Sequence, residues 1–212
     1  MSRPRIAIVL GAALLAGGAV VWALRQRSNP SACPYSQRFF LDLPRPFLRR
    51  ETLLDVLAPI PGERVLEVGP GTGYYSLHTA RALVPSGRLV ILDVQPDMLD
   101  ETMRRAEAQR IDNIDPLRGD AQALPFPDAT FDAAYLVATL GEIPDQEQAL
   151  RELGRVLKPG GRLVVGEGQP DPHHVRLDTL RDQAEAAGLR FARHRGGDLG
   201  YLARFEREGD VG

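Results

Sequence analysis

VLEVGPGTGYYS, residues Val65 to Ser76, is the stretch on which the reading of this 212-residue chain turns. Val65, Leu66 and Val68 form a short apolar run bounded by turn formers, which predicts a buried strand of a parallel sheet. Gly69, Gly71 and Gly73 follow, and then Tyr75, Leu77, Ala80 and Leu83 fall at helical spacing across Tyr74 to Leu83. A strand, a glycine turn and a helix start make the mouth of a βαβ unit, where backbone can approach a ligand closely. The spacing narrows the ligand. A dinucleotide fingerprint reads G-x-G-x-x-G, whereas here the third glycine arrives one residue early and Tyr74 stands where the pattern wants it. Glu67 also places a carboxylate two residues before the first glycine. That charge repels a pyrophosphate and suits a ligand carrying an ammonium and a sulfonium, so an NAD-dependent oxidoreductase is the disfavoured reading.

E-x-G-x-G-x-G after a strand resembles motif I of the class I S-adenosylmethionine-dependent methyltransferases. Working outward, Arg88 to Asp93 reads as a second strand ending in an acid, and Asp93 lies twenty residues beyond Gly73. A carboxylate there can accept both ribose hydroxyls of a nucleoside, the role the resemblance also implies. Ile114 to Gly119 reads as a third strand, and GDAQALPFPDATFDAAYL resembles the corresponding family region. By that resemblance Asp120 bonds the adenine amino group, with the Ala121 backbone beside it. The cofactor-binding set is therefore Glu67, Gly69, Gly71, Gly73, Asp93, Asp120 and Ala121, around S-adenosyl-L-methionine.

Phe131 to Val137 reads as a fourth strand. Family members that methylate adenine or glutamine amides place Asn or Asp before Pro-Pro-Tyr after it; this chain has Ala138-Thr139-Leu140-Gly141-Glu142. The acceptor is thus expected to be neither a nucleobase amine nor a glutamine amide. Gln146 to Leu157 reads as an amphipathic helix, and LRELGRVLKPGGRL resembles the family's next motif, ending that helix and opening a fifth strand over Arg162 to Val165. A helix at Val175 to Ala187 and two strands, Leu189 to His194 and Tyr201 to Arg207, close the chain. The short link between those strands implies an antiparallel hairpin. The expected fold is α/β: a Rossmann-like seven-stranded sheet with an antiparallel last strand and helices on both faces.

Ile6 to Leu24 is nineteen residues without a charge, bracketed by Arg3 and Arg5 and by Arg25 and Arg27. A helix needs about 20 apolar residues to cross the hydrocarbon core, and Trp22 suits the interface. The run ends in Trp-Ala-Leu-Arg-Gln-Arg, a poor cleavage site, which favours an uncleaved anchor over a secretory signal. Arg38, Arg45, Arg49 and Arg50 tilt the charge count toward a single-pass protein with a cytoplasmic catalytic domain. The organisation read from sequence is an anchor at 1–28, a linker at 29–45 holding Tyr35, Phe39 and Phe40, and a methyltransferase domain at 46–208. Pro46 to Leu57 reads as a covering helix.

Composition restricts partners. The net charge of −2 implies no nucleic acid. Cys33 is the one cysteine, so there is no disulfide framework or cysteine metal cluster, and it reads as an incidental thiol near the span. No metal is required for displacement at a sulfonium. If the acceptor needs deprotonation, the candidates are Glu142, His173 and His174. An anchored domain without an added substrate module suggests a small or lipophilic acceptor, such as a quinone precursor or a phospholipid head group. The central motifs resemble quinone-pathway methyltransferases. A cofactor-binding domain without catalysis is the reading from another class.

Overall fold

A computed structural model describes residues 32–36, 48–169 and 171–209. Seven strands form one sheet in the order β3-β2-β1-β4-β5-β7-β6: β1 Arg64–Val68, β2 Arg88–Asp93, β3 Ile114–Arg118, β4 Phe131–Val137, β5 Leu157–Gly168, β6 Leu189–Gly197 and β7 Gly200–Arg207. The pairs among β1 to β5 are parallel, and β7 runs antiparallel to both β5 and β6. The final hairpin expected from the short Gly196-Gly197-Asp198 connection is therefore present. The switch in strand order falls between β1 and β4, where α/β sheets open a crevice at their carboxyl edge.

Two apolar layers hold the helices. Leu53, Val56 and Leu57 of α1 (Arg50–Leu57), Leu77 and Ala80 of α2 (Ser76–Ala82), and Leu99 and Ala106 of α3 (Pro96–Ala108) pack with Val65, Leu89, Ile91 and Tyr135. On the other face Ala149, Leu150 and Leu153 of α4 (Gln146–Val156) and Leu180 and Ala184 of α5 (Leu177–Ala186) pack with Leu66, Val90, Leu136 and Leu163. Alternate residues of β1 thus serve opposite layers, as the two-residue strand period requires. The central strands are buried almost throughout, which is why they read as continuous apolar runs.

Several boundaries differ from the sequence reading, two of them by several residues or at the site. α2 begins at Ser76 rather than Tyr74, because Gly69, Gly71 and Gly73 all adopt left-handed backbone, with φ of 70°, 56° and 83°. β5 begins at Leu157 rather than Arg162: Lys158 to Gly161 belong to the strand, across an irregularity in its pairing with β4 between Phe131 and Ala133. The apolar run at 6–24, and Phe39 and Phe40 of the linker, lie outside the described residues. Among the described residues no helix is long and apolar enough to cross a membrane.

Candidate active site

The carboxyl ends of β1, β2 and β4 enclose a cavity of about 300 Å³. Gly69, Pro70, Gly71 and Thr72 form its floor, Asp93 and Gln95 one side, Asp120 and Ala121 the end nearest β3, and Thr139 and Glu142 the side beyond β4. Leu92, Met98, Val137 and Ile143 supply apolar wall. A mostly apolar cleft with a few convergent polar groups is what a nucleoside-bearing ligand requires.

Gly69 shows why the loop is glycine. It sits at φ +70°, and a Cβ there would come within 2.6 Å of the Thr139 side chain. Gly69→Ala is therefore expected to cost about 2–3 kcal/mol, combining left-handed strain with a clash against a stiff β-branched neighbour. Urea denaturation checks it. Adding Thr139→Ala should return the steric share and leave the backbone strain. Gly73 serves packing instead, since it does not line the cavity and a Cβ on it would meet Thr102 of α3 at 3.0 Å. Thr102 in turn donates its hydroxyl to the Gly71 carbonyl at 3.0 Å, tying α3 to the loop.

Asp93 ends β2 and is 8% exposed. Its Oδ1 accepts the Gln95 N–H at 2.9 Å. Burial raises its pKa, opposed by the backbone N–H groups of Gln95, Val94 and Gly71. Asp120 is exposed at the rim, where Oδ1 accepts the Gln122 N–H at 2.9 Å and both oxygens accept the Gln122 side-chain amide at 3.0 Å. It is at once a turn former and a cavity residue. Ala121 is buried beside it.

Glu67 does not line the cavity. Its side chain alternates to the face of α2 and sits beneath the glycine loop, 2% exposed, in cross-strand register with Tyr135. Burial pushes its pKa up to about 7, the Ser76 and Tyr135 hydroxyls pull it back, and the Asp93 charge adds to the rise. Glu67, Ser76, Thr79 and the Tyr135 hydroxyl form one buried polar cluster beneath the loop. The carboxylate thus underlies the loop rather than facing a ligand across it.

The three candidate proton acceptors are divided. Glu142, which closes a 3-10 turn at Leu140–Glu142, borders the cofactor-sized cavity. His173 and His174 line a separate cavity of about 920 Å³, with Gly141, Arg176, His194 and Tyr201. Gly141 marks the partition, since a Cβ on it would overlap the His173 carbonyl. Residues the sequence reading passed over include Gln95 and Cys33. Cys33 lies in the cavity wall through its backbone, with its carbonyl accepting from Gln95 and its N–H donating to Glu142.

Residues 65–161 match the family model described as a methyltransferase domain. The ubiquinone/menaquinone biosynthesis C-methyltransferase UbiE of Ruegeria sp. (strain TM1040) is 41% identical over 119 residues, 56% of this chain and 47% of that protein. The UbiE of Pasteurella multocida (strain Pm70) is 38% identical over 109 residues, 50% of this chain and 40% of its own. The matched stretches thus span less than half the length of these relatives. Among solved structures, a SAM-dependent methyltransferase from Aquifex aeolicus aligns with a TM-score of 0.75 at 24% identity, over 83% of this chain and all of its own. The [4+2]-cyclase SpnF aligns with a TM-score of 0.68 at 21% identity, over 76% of this chain and 80% of its own. These likenesses give the fold, and the glycine floor with its two flanking acids fits an adenosyl ligand bearing positive charge. Residues 65–161 thus match a methyltransferase domain, and the fold they belong to is the one shared with a SAM-dependent methyltransferase of known structure.

Proposed function

We propose that the chain transfers a methyl group from S-adenosylmethionine to a small, lipophilic acceptor of the quinone-ring type, with residues 1–28 tethering a cytoplasmic domain, 46–208, to a membrane. The supporting observation is the cavity at the sheet's switch point, which gathers the glycine turn, Asp93 and Asp120 around one concave space. In this reading Asp93 takes the ribose hydroxyls, Asp120 and the Ala121 backbone take the adenine edge, and Leu92, Met98 and Ile143 cover its faces. Gly69 and Gly71 let the backbone close on the methionine end, and buried Glu67 supplies a negative field beneath it.

The bound cofactor supplies an electrophilic methyl on a sulfonium. The chain's own contribution is to hold the acceptor in line and keep water out, which accounts for most of the acceleration such a displacement needs. Glu142, whose carboxylate accepts the Cys33 N–H, borders this cavity, while His173 and His174 line the separate one. The apolar run at 6–24 and the UbiE likeness both favour a lipophilic acceptor. Because the same fold also carries a [4+2]-cyclase, fold alone does not assign the reaction.

The test is turnover by the full chain in detergent, with a methyl-labelled donor and a membrane lipid extract beside a water-soluble one. Label is expected in the lipid phase, and calorimetry is expected to show binding of S-adenosylmethionine and none of NADH. Label confined to water-soluble products would remove the lipophilic acceptor. Binding without any transfer would leave a cofactor-binding domain, and no binding would end the reading altogether.

A further inference from the structure

The cavity has a cover that the catalytic sheet does not provide. Ala32 and Cys33, from the segment that follows the apolar run, line it. Cys33 is gripped on both sides of its backbone: its N–H donates to Glu142 Oε2 at 3.2 Å, and its carbonyl accepts from Gln95 Nε2 at 2.9 Å. The two grips stand on opposite walls. Gln95 lies two residues past the end of β2, with its own N–H held by Asp93. Glu142 lies beyond the end of β4. In the sheet β2 and β4 flank β1, so one residue of the segment bridges the glycine turn from side to side.

Resting on the reading of this cavity as the cofactor's, we propose that residues 32–36 are a strap that closes over the bound S-adenosylmethionine, and that Gln95 and Glu142 are the positioning residues that latch it. Glu142 then serves as a hydrogen-bond acceptor for the strap rather than as the proton acceptor of the reaction. Gln95 couples the strap to Asp93, because its backbone is bound by that carboxylate while its side chain holds Cys33. In sequence the strap is the described part of the chain nearest the apolar run.

Cys33 is the chain's one cysteine, so maleimide labelling of the full chain in detergent reads the strap directly. Saturating S-adenosylhomocysteine is expected to slow labelling of the wild type at least tenfold. Gln95→Ala and Glu142→Ala should each speed both labelling of the free protein and release of S-adenosylhomocysteine by about five- to tenfold, the worth of one hydrogen bond. Glu142→Gln keeps an oxygen that can accept the Cys33 N–H, and should stay close to wild type in both measurements. If both alanine variants label and release like wild type while the ligand still binds, the strap is wrong and the cofactor reading stands. If Glu142→Gln behaves like Glu142→Ala, the latch at Glu142 is wrong, because charge and not the hydrogen bond matters there. Failure of the wild type to bind S-adenosylhomocysteine overturns the cofactor reading and the strap with it.

Discussion

Asp93→Ala is expected to weaken S-adenosylmethionine binding by about a hundredfold or more, since hydrogen bonds to a charged group are worth about 1.5–3 kcal/mol each and this carboxylate can accept two. Its position explains the size of the effect. Asp93 ends β2 beside the glycine turn, is nearly buried and borders the cavity, so bonds it makes there are shielded from water. Asp93 also accepts the Gln95 N–H, and part of any loss could come through a loosened loop. Asp93→Asn separates the two contributions: its side-chain oxygen can still accept the Gln95 N–H, while the charge and one acceptor are lost, so it should still cost about tenfold or more. Burial raises the Asp93 pKa, so affinity should also fall as pH drops through that raised value and the carboxyl takes up a proton. Calorimetry on the full chain at two pH values reads all three. An Asp93→Ala affinity equal to wild type would remove the ribose role.

The sheet and the cofactor wall were legible because the residues that make them act locally. β2 and β4 match their sequence limits because each is a buried apolar run, and Asp93 is legible because it ends the run of β2. What sequence missed depends on contacts between distant segments. Glu67 read as a ligand-facing acid, but strand alternation turns it to the α2 face, where Tyr135 meets it across sheet register. Glu142, His173 and His174 all read as candidate proton acceptors, yet the packing of the His173 carbonyl on Gly141 parts them into different cavities. Cys33 carried no signal, since its two bonds are made by backbone atoms, which any residue supplies. Gln95 had one weak signal, its position between the acid ending β2 and the proline that starts α3.

Glu167→Gln is expected to stabilise the protein in a strongly pH-dependent way. Glu167 ends β5 opposite Tyr201 of β7 and is 1% exposed. Burial is the chief cause that pushes its pKa up to about 8, with the charges of Asp171 and Glu142 adding to it and the backbone N–H groups of Val175 and Gly141 opposing. Oε2 accepts the Val175 N–H at 3.4 Å, and Oε1 has no partner among the described residues. The unfolded chain releases this proton near pH 4.5, the ordinary value, while the folded chain keeps it to about 8. Between those values the native state binds more protons than the unfolded one, so stability is fully present below 4.5 and declines as pH rises through the window. Glu67, raised to about 7, acts with the same sign over a narrower range. A glutamine amide in place of the Glu167 carboxyl reproduces its neutral form at every pH. The substitution should therefore change little at pH 5 and add on the order of 3–5 kcal/mol at pH 8.5, the worth of a shift of that size. Urea denaturation of wild type and Glu167→Gln at both pH values measures it. An equal difference at pH 5 and 8.5 would show that the buried carboxyl is not the source of the pH dependence, whereas a gap that opens with pH would identify the end of β5 as a place where this fold gives up stability to keep an acid beside Glu142 and the His173 loop.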